Sequence, residues 1–125
     1  MDILTSLSKL LLPAEVFDYF TITSVSEHKG EVELFLEEKD IIHKPEDGHE
    51  YEKNGFYDTM TVQDYPIRGK RALLRIKRRR WIDRTTGRSF GNDYELVAKG
   101  TRHSVEFAAF LKELHGGIPD YGPLA

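Results

Sequence analysis

At 125 residues, 39% apolar and 31% charged, the chain is long enough for one domain with a real core and polar enough to be globular and soluble. It has no cysteine, which excludes disulfides and thiolate metal sites and fits a reducing cytoplasm, and no apolar run near the roughly 18 residues of a membrane span. The net charge of −3 conceals an asymmetry: residues 1–67 hold 15 acidic and 5 basic residues, whereas residues 68–88 hold 10 basic and one acidic. Phosphate attraction is felt over roughly 10 Å or less at physiological salt, so this local excess matters more than the average.

The start, MDILTSLSKLLLP, has an acidic residue at position 2 and no basic leader, so it reads as an ordinary helix rather than a signal peptide. Ile3, Leu4, Leu7, Leu10 and Leu11 recur at helical spacing up to Pro13, which suits the first position of a second helical turn. From Phe17 the period becomes two. Phe20, Ile22 and Ser24 share one face, EHKGE turns, and EVELFLEE returns with Val32, Leu34 and Leu36 inward and Glu31, Glu33, Glu37 and Glu38 outward. Lys39 to Asn54 is polar and reads as a long loop.

YDTMTVQDYP predicts a third strand with Met60 and Val62 in the core, and PIRGK a turn. A fourth strand is expected from Lys70 to about Ile82. Alternation puts Ala72, Leu74 and Ile76 on one face and Arg71, Arg75, Lys77 and Arg79 on the other, interrupted by Leu73. That spacing makes a basic strip about 3 to 4 phosphates long. RTTGR is a turn, and a fifth strand is expected through Tyr94 to Ala98. Thr101 or Ser104 would cap a helix with Val105, Phe107, Ala108, Phe110, Leu111 and Leu114 inward, ended by Gly116 and Gly117. The class is α+β: antiparallel β-hairpins forming a small sheet, with short helices at the N- and C-terminal ends.

The cations Arg68, Lys70, Arg71, Arg75, Lys77, Arg78, Arg79, Arg80, Arg84 and Arg88 are the candidate nucleic-acid contacts, with Trp81 and Phe90 placed to stack beside them. The competing reading is that the strip pairs across the sheet with the acidic strands 31–38 and 58–64 and neutralises them. No catalytic constellation is evident. Asp58 and Asp64 would share a face roughly 20 Å apart, too far for one acid–base pair. The five histidines lack ligand spacing; His43 and His49 share a loop and are the weak metal candidates. The expectation is no enzyme, no cofactor and no metal. YEKNG (51–55) and DRTTG (83–87) nevertheless stand about where a zinc ribbon would place its two C-x-x-C-G knuckles, with only the glycines present.

QDYPIRGKRALLRIKRRRW, then DRTTGRSF, then VAKGTRHSVEFAAFLKEL resembles the N-terminal region of certain bacterial insertion-sequence transposases, in which a zinc ribbon or its degenerate form precedes a helix-turn-helix and a DDE-type catalytic domain. The most specific part is D-x-P-I-x-G-K followed by L-x-I-x-x-R-R-W; LLPAEVFDYF and ELFLEEKD resemble the upstream hairpin of a subgroup that encodes this region separately. The likeness covers about residues 10–115. It implies binding to DNA at the element's terminal repeats, or assembly with the catalytic transposase chain. Arg75, Lys77, Arg78, Arg79 and Arg80 match the family's basic strand, and Gly69 and Lys70 its turn. Tyr51, Asn54, Asp83 and Thr86 stand where its cysteines would, so no structural zinc is implied. On this reading residues 1–125 form a single domain: an N-terminal helix plus hairpin over 1–40, a polar loop over 41–56, a degenerate ribbon-like β part over 57–100, and a C-terminal helix and tail over 101–125. The alternative is a module docking the catalytic chain, an acidic partner, or a second copy of itself through residues 31–38, without DNA.

Overall fold

The computed structural model describes residues 11–43, 47–62, 70–94 and 105–117. The first predicted helix lies outside them except for Leu11. The turn expected from Pro13 forms: amides of Val16, Phe17 and Asp18 bond the carbonyls of Pro13, Ala14 and Glu15 at 3.0–3.1 Å. These lead into α1 (Val16–Tyr19), which buries Val16 and Phe17. Phe20 is already extended, so α1 feeds directly into β1 (Phe20–His28).

β1 and β2 (Glu31–Glu38) make the predicted hairpin. Lys29 and Gly30 both carry positive φ, 47° and 85°. Two such residues give the turn whose twist matches that of the strands it joins. Ile22, Leu34 and Leu36 are buried. Ser24, expected inward, is exposed, because an irregularity between Ile22 and Ser24 re-registers β1 so that Ser24 opposes Phe35. Glu38, expected outward, is 1% exposed. It follows Leu34 and Leu36 in the alternation, and the strand period carries it to the inner face.

The chain then builds β3 (Tyr51–Phe56), β4 (Met60–Val62), β5 (Arg71–Lys77), β6 (Arg79–Asp83), β7 (Ser89–Phe90) and α2 (Val105–Gly117). Two sheets result. The first has the order β1-β2-β5-β4 and the second β3-β6-β7. Three expectations are corrected. Tyr51 to Asn54 belongs to a strand rather than to the loop, because β6 pairs with it from far downstream. The strand expected over 70–82 breaks at Arg78, so its two halves serve different sheets. The sheet is also not purely antiparallel: β5 lies parallel to β2, from Glu31 beside Arg71 to Glu37 beside Lys77. A parallel neighbour needs a crossover. Here the chain leaves the first sheet after β2, makes β3, and returns through β4 before laying β5 between β2 and β4.

The core lies on the inner face of the first sheet. Ala72, Leu74 and Ile76 on central β5 are fully buried, and Met60 and Val62 on β4 join them as expected. Phe107, Phe110, Leu111 and Leu114 of α2 are buried in the same cluster. This is an i, i+3, i+4, i+7 stripe, and Ala108, expected inward, falls outside it and is exposed. The predicted strand beyond Tyr94, the helix caps at Thr101 or Ser104, and the tail after Gly117 lie outside the described residues. No helix among the described residues is long and apolar enough to cross a membrane.

Candidate nucleic-acid interface

The break at Arg78 decides where the cations go. Arg78 continues the buried alternation of Ala72, Leu74 and Ile76 and is itself 4% exposed. Its Nη2 donates to the Asn92 carbonyl, and its guanidinium lies 5.2 Å from the centre of the Tyr94 ring. A solvent ligand does not reach it. Arg78 therefore leaves the group of surface candidates, although its neighbours in sequence stay in it.

Next to it, Glu38 gathers the junction between the two sheets. Its Oε1 accepts the Arg79 amide at 2.8 Å; its Oε2 accepts the Asn92 amide at 3.1 Å and the Tyr94 hydroxyl. Burial first, then the Glu38 charge and hydrogen bond, push the Tyr94 hydroxyl well above its ordinary pKa. His43 packs its ring 5.0 Å from Tyr19, and its own amide donates to Asn92 Oδ1 at 2.7 Å. Burial lowers the His43 pKa, against the pull of the Glu38 charge.

The remaining described cations split among three places. On the outer face of the first sheet, the parallel register sets the acidic positions of β2 beside the basic positions of β5. Arg71 meets Glu31 at 3.2 Å, Arg75 meets Glu33 at 3.6 Å, and Arg79 meets Glu37 at 3.7 Å. Lys70 reaches Glu27 at 3.4 Å. The cross-sheet pairing expected with residues 31–38 is therefore present. Lys77 makes no ion pair among the described residues and holds its ammonium 4.9 Å from the Phe56 ring centre. The Arg79 guanidinium sits near the same ring, at 4.7 Å. On the second sheet, Arg80 donates to the Asn54 carbonyl at 3.1 Å and lies 5.9 Å from the Tyr57 ring centre. At the far turn, Arg84 pairs with Glu52 at 3.0 Å, and Arg88 is exposed with no ion pair among the described residues. Arg68 lies outside the described residues. Trp81 is 5% exposed and Phe90 half-buried beside Tyr51, so Trp81 offers no stacking face. The exposed-face aromatics are instead Phe35, Phe56 and Tyr57, which the charge pattern alone did not single out.

The two knuckle-like stretches behave differently from each other. DRTTG is a turn: Asp83 Oδ1 accepts the amides of Thr85 (2.8 Å) and Thr86 (3.2 Å), and Gly87 takes φ +79°. YEKNG is strand β3, and Gly55 (φ +77°) serves an irregularity in its pairing with β6 rather than a turn. Asp83 Oδ2 lies 2.7 Å from His49 Nδ1, and Asp47 stands 3.4 Å from the same nitrogen while accepting the Tyr51 hydroxyl. These three residues bring one potential ligand atom each within 4.8 Å. At 2.7 Å the closest pair is a hydrogen bond, so the group is a side-chain clasp joining the 47–49 segment to the end of β6. His43 and His49, the weak metal candidates of the loop, have separate roles: His43 packs on Tyr19, and His49 joins Asp83.

Burial works against ionisation of Asp83, but the bonds from His49 and the Thr85 and Thr86 amides hold its carboxyl below the usual range. A group with a depressed folded pKa contributes stability that is complete above its unfolded value, about 3.9, and lost as the pH falls through the folded value. Asp83→Asn keeps an oxygen for the turn but loses the charge. It is expected to melt below wild type at pH 7, with the gap narrowing as the pH falls below the unfolded value of about 3.9; thermal midpoints across pH check this, and a gap independent of pH would contradict it.

Compared with protein-family models, with curated proteins and with solved structures, the chain matches none.

Proposed function

We propose that this chain is a non-catalytic, DNA-contacting and assembly module of an insertion-sequence transposase, working in the cytoplasm beside a separate catalytic chain. The observation that supports it best is the run of cations along β5, β6 and the following turn, interleaved with half-buried Phe56 and Tyr57. Cations positioned by aromatic faces suit a phosphate backbone with bases beside it. The ion pairs with β2 do not forbid this. Exposed pairs are worth about 0–1 kcal/mol each, and a phosphate is a competing acceptor of the same charge.

Binding to a duplex carrying the element's terminal repeats should fall steeply with salt, with a log–log slope of about −3. Lys77→Gln, and Arg84→Gln with Arg88→Gln, should each flatten the slope by about one per phosphate contact removed. No binding at low salt would sink the reading. A second reading, docking to the catalytic chain without DNA, is favoured by one observation: Glu31, Glu33 and Glu37 already neutralise part of the strip. Co-purification with that chain that survives nuclease treatment would select it.

A further inference from the structure

The outer face of the first sheet carries a recess of about 220 Å³, lined by Thr23 of β1, Phe35 and Glu37 of β2, Arg75 and Lys77 of β5, and Thr59 just before β4. Two successive rows of the sheet build it. Phe35 stands beside Arg75 in one, and Glu37 beside Lys77 in the next. Each row thus offers a cation next to a group of different chemistry, an aromatic ring or a carboxylate.

The donors here are not used up. The Arg75 side chain is 41% exposed, and its carboxylate neighbour, Glu33, stands at 3.6 Å, beyond hydrogen-bond distance. Lys77 has no carboxylate within 4 Å among the described residues and is exposed. Phe35 is half-buried on a face whose other β2 positions are all glutamates. An aromatic at that position is not needed by the core, which lies on the opposite side of the sheet. Glu37 lines the recess too, but its ion pair is with Arg79, at 3.7 Å, rather than with Lys77.

The ligand that satisfies a flat apolar face, two cations a short step away and one carboxylate acceptor is a nucleotide. The volume is below that of a drug-sized pocket, so it suits one unit rather than several. A base inside a duplex cannot enter such a recess without leaving its stack, whereas a base in a single strand is already available. We propose that the recess seats one nucleotide of an unpaired DNA strand, the base against Phe35 and its phosphate between Arg75 and Lys77, with Glu37 accepting from an exocyclic amino group. The proposal rests on the nucleic-acid reading above and adds to it a preference for unpaired DNA.

The test is fluorescence anisotropy with a labelled single-stranded octanucleotide of mixed sequence and with the corresponding duplex, at low salt. Phe35→Leu keeps apolar bulk and removes the ring. It is expected to weaken single-strand binding by roughly tenfold while changing duplex binding less than about twofold. Thr59→Trp, on an exposed link, fills the recess without touching the core and should produce the same selective loss. Single-strand affinity unchanged in both variants, or loss of both forms of DNA to the same degree, overturns the proposal. If the wild type binds the duplex with steep salt dependence but neither variant matters, the recess is wrong and the DNA-contacting function stands. If the wild type binds neither form, both fall together.

Discussion

Glu38→Ala is expected to cost about 3 kcal/mol of folding stability, measured by urea denaturation. Glu38 is 1% exposed, and three donors converge on its carboxylate: the Arg79 amide, the Asn92 side chain and the Tyr94 hydroxyl. Alanine leaves the Arg79 amide and the Tyr94 hydroxyl without an acceptor and the Asn92 side chain with only the Ile41 carbonyl, beside a buried guanidinium whose Nε already lacks one. An unsatisfied buried polar group costs about 1–3 kcal/mol, and relaxation or entry of water recovers part of a twofold loss. Glu38→Gln keeps one oxygen for the Arg79 amide but turns a second donor toward Asn92 and Tyr94, so it should fall between the two. An Ala variant within about 0.5 kcal/mol of wild type would mean that the junction does not hold the sheets together.

Phe110→Ala should be at least as damaging, about 3–5 kcal/mol, by the same measurement. Phe110 is 1% exposed, in an edge-on contact with Phe20 (6.0 Å between centroids) and stacked on Phe107 (5.9 Å). Phe107 in turn stacks on Tyr19 at 5.7 Å. This aromatic chain joins α2 to the start of β1, so the substitution removes both the buried area and the surface that seats the helix. Ala108 lies two residues away on the exposed face, and Ala108→Leu should stay within about 0.5 kcal/mol of wild type. Comparable losses at both positions would place the buried stripe of α2 elsewhere.

The cation group divides along the same physical line. The inward Ala72, Leu74 and Ile76 of β5 were legible from alternation, and so was the outward placing of Arg71, Arg75 and Lys77. Alternation also predicts an inward Arg78, but reading 70–82 as one strand of basic surface hid that consequence. The clasp at Asp83 was partly legible, since DRTTG reads as a turn. That its carboxylate meets His49 was not, because 34 residues separate the two.

Periodicity therefore determined the hairpin, the apolar inner faces of β2, β4 and β5, that of β1 as far as Ile22, and the buried stripe of α2, because each depends on a side-chain repeat confined to one segment. Partner choice was decided only in three dimensions. That β5 lies parallel to β2, and so beside its glutamates, follows from where the chain returns after β3 and β4. No local repeat encodes that path. The same path makes Glu38 and Arg78 neighbours of one polar junction, and it brings Phe35, Arg75 and Lys77 around one recess. The charge excess of residues 68–88 was written in the sequence; which of those charges remain available to a partner is a property of the sheet.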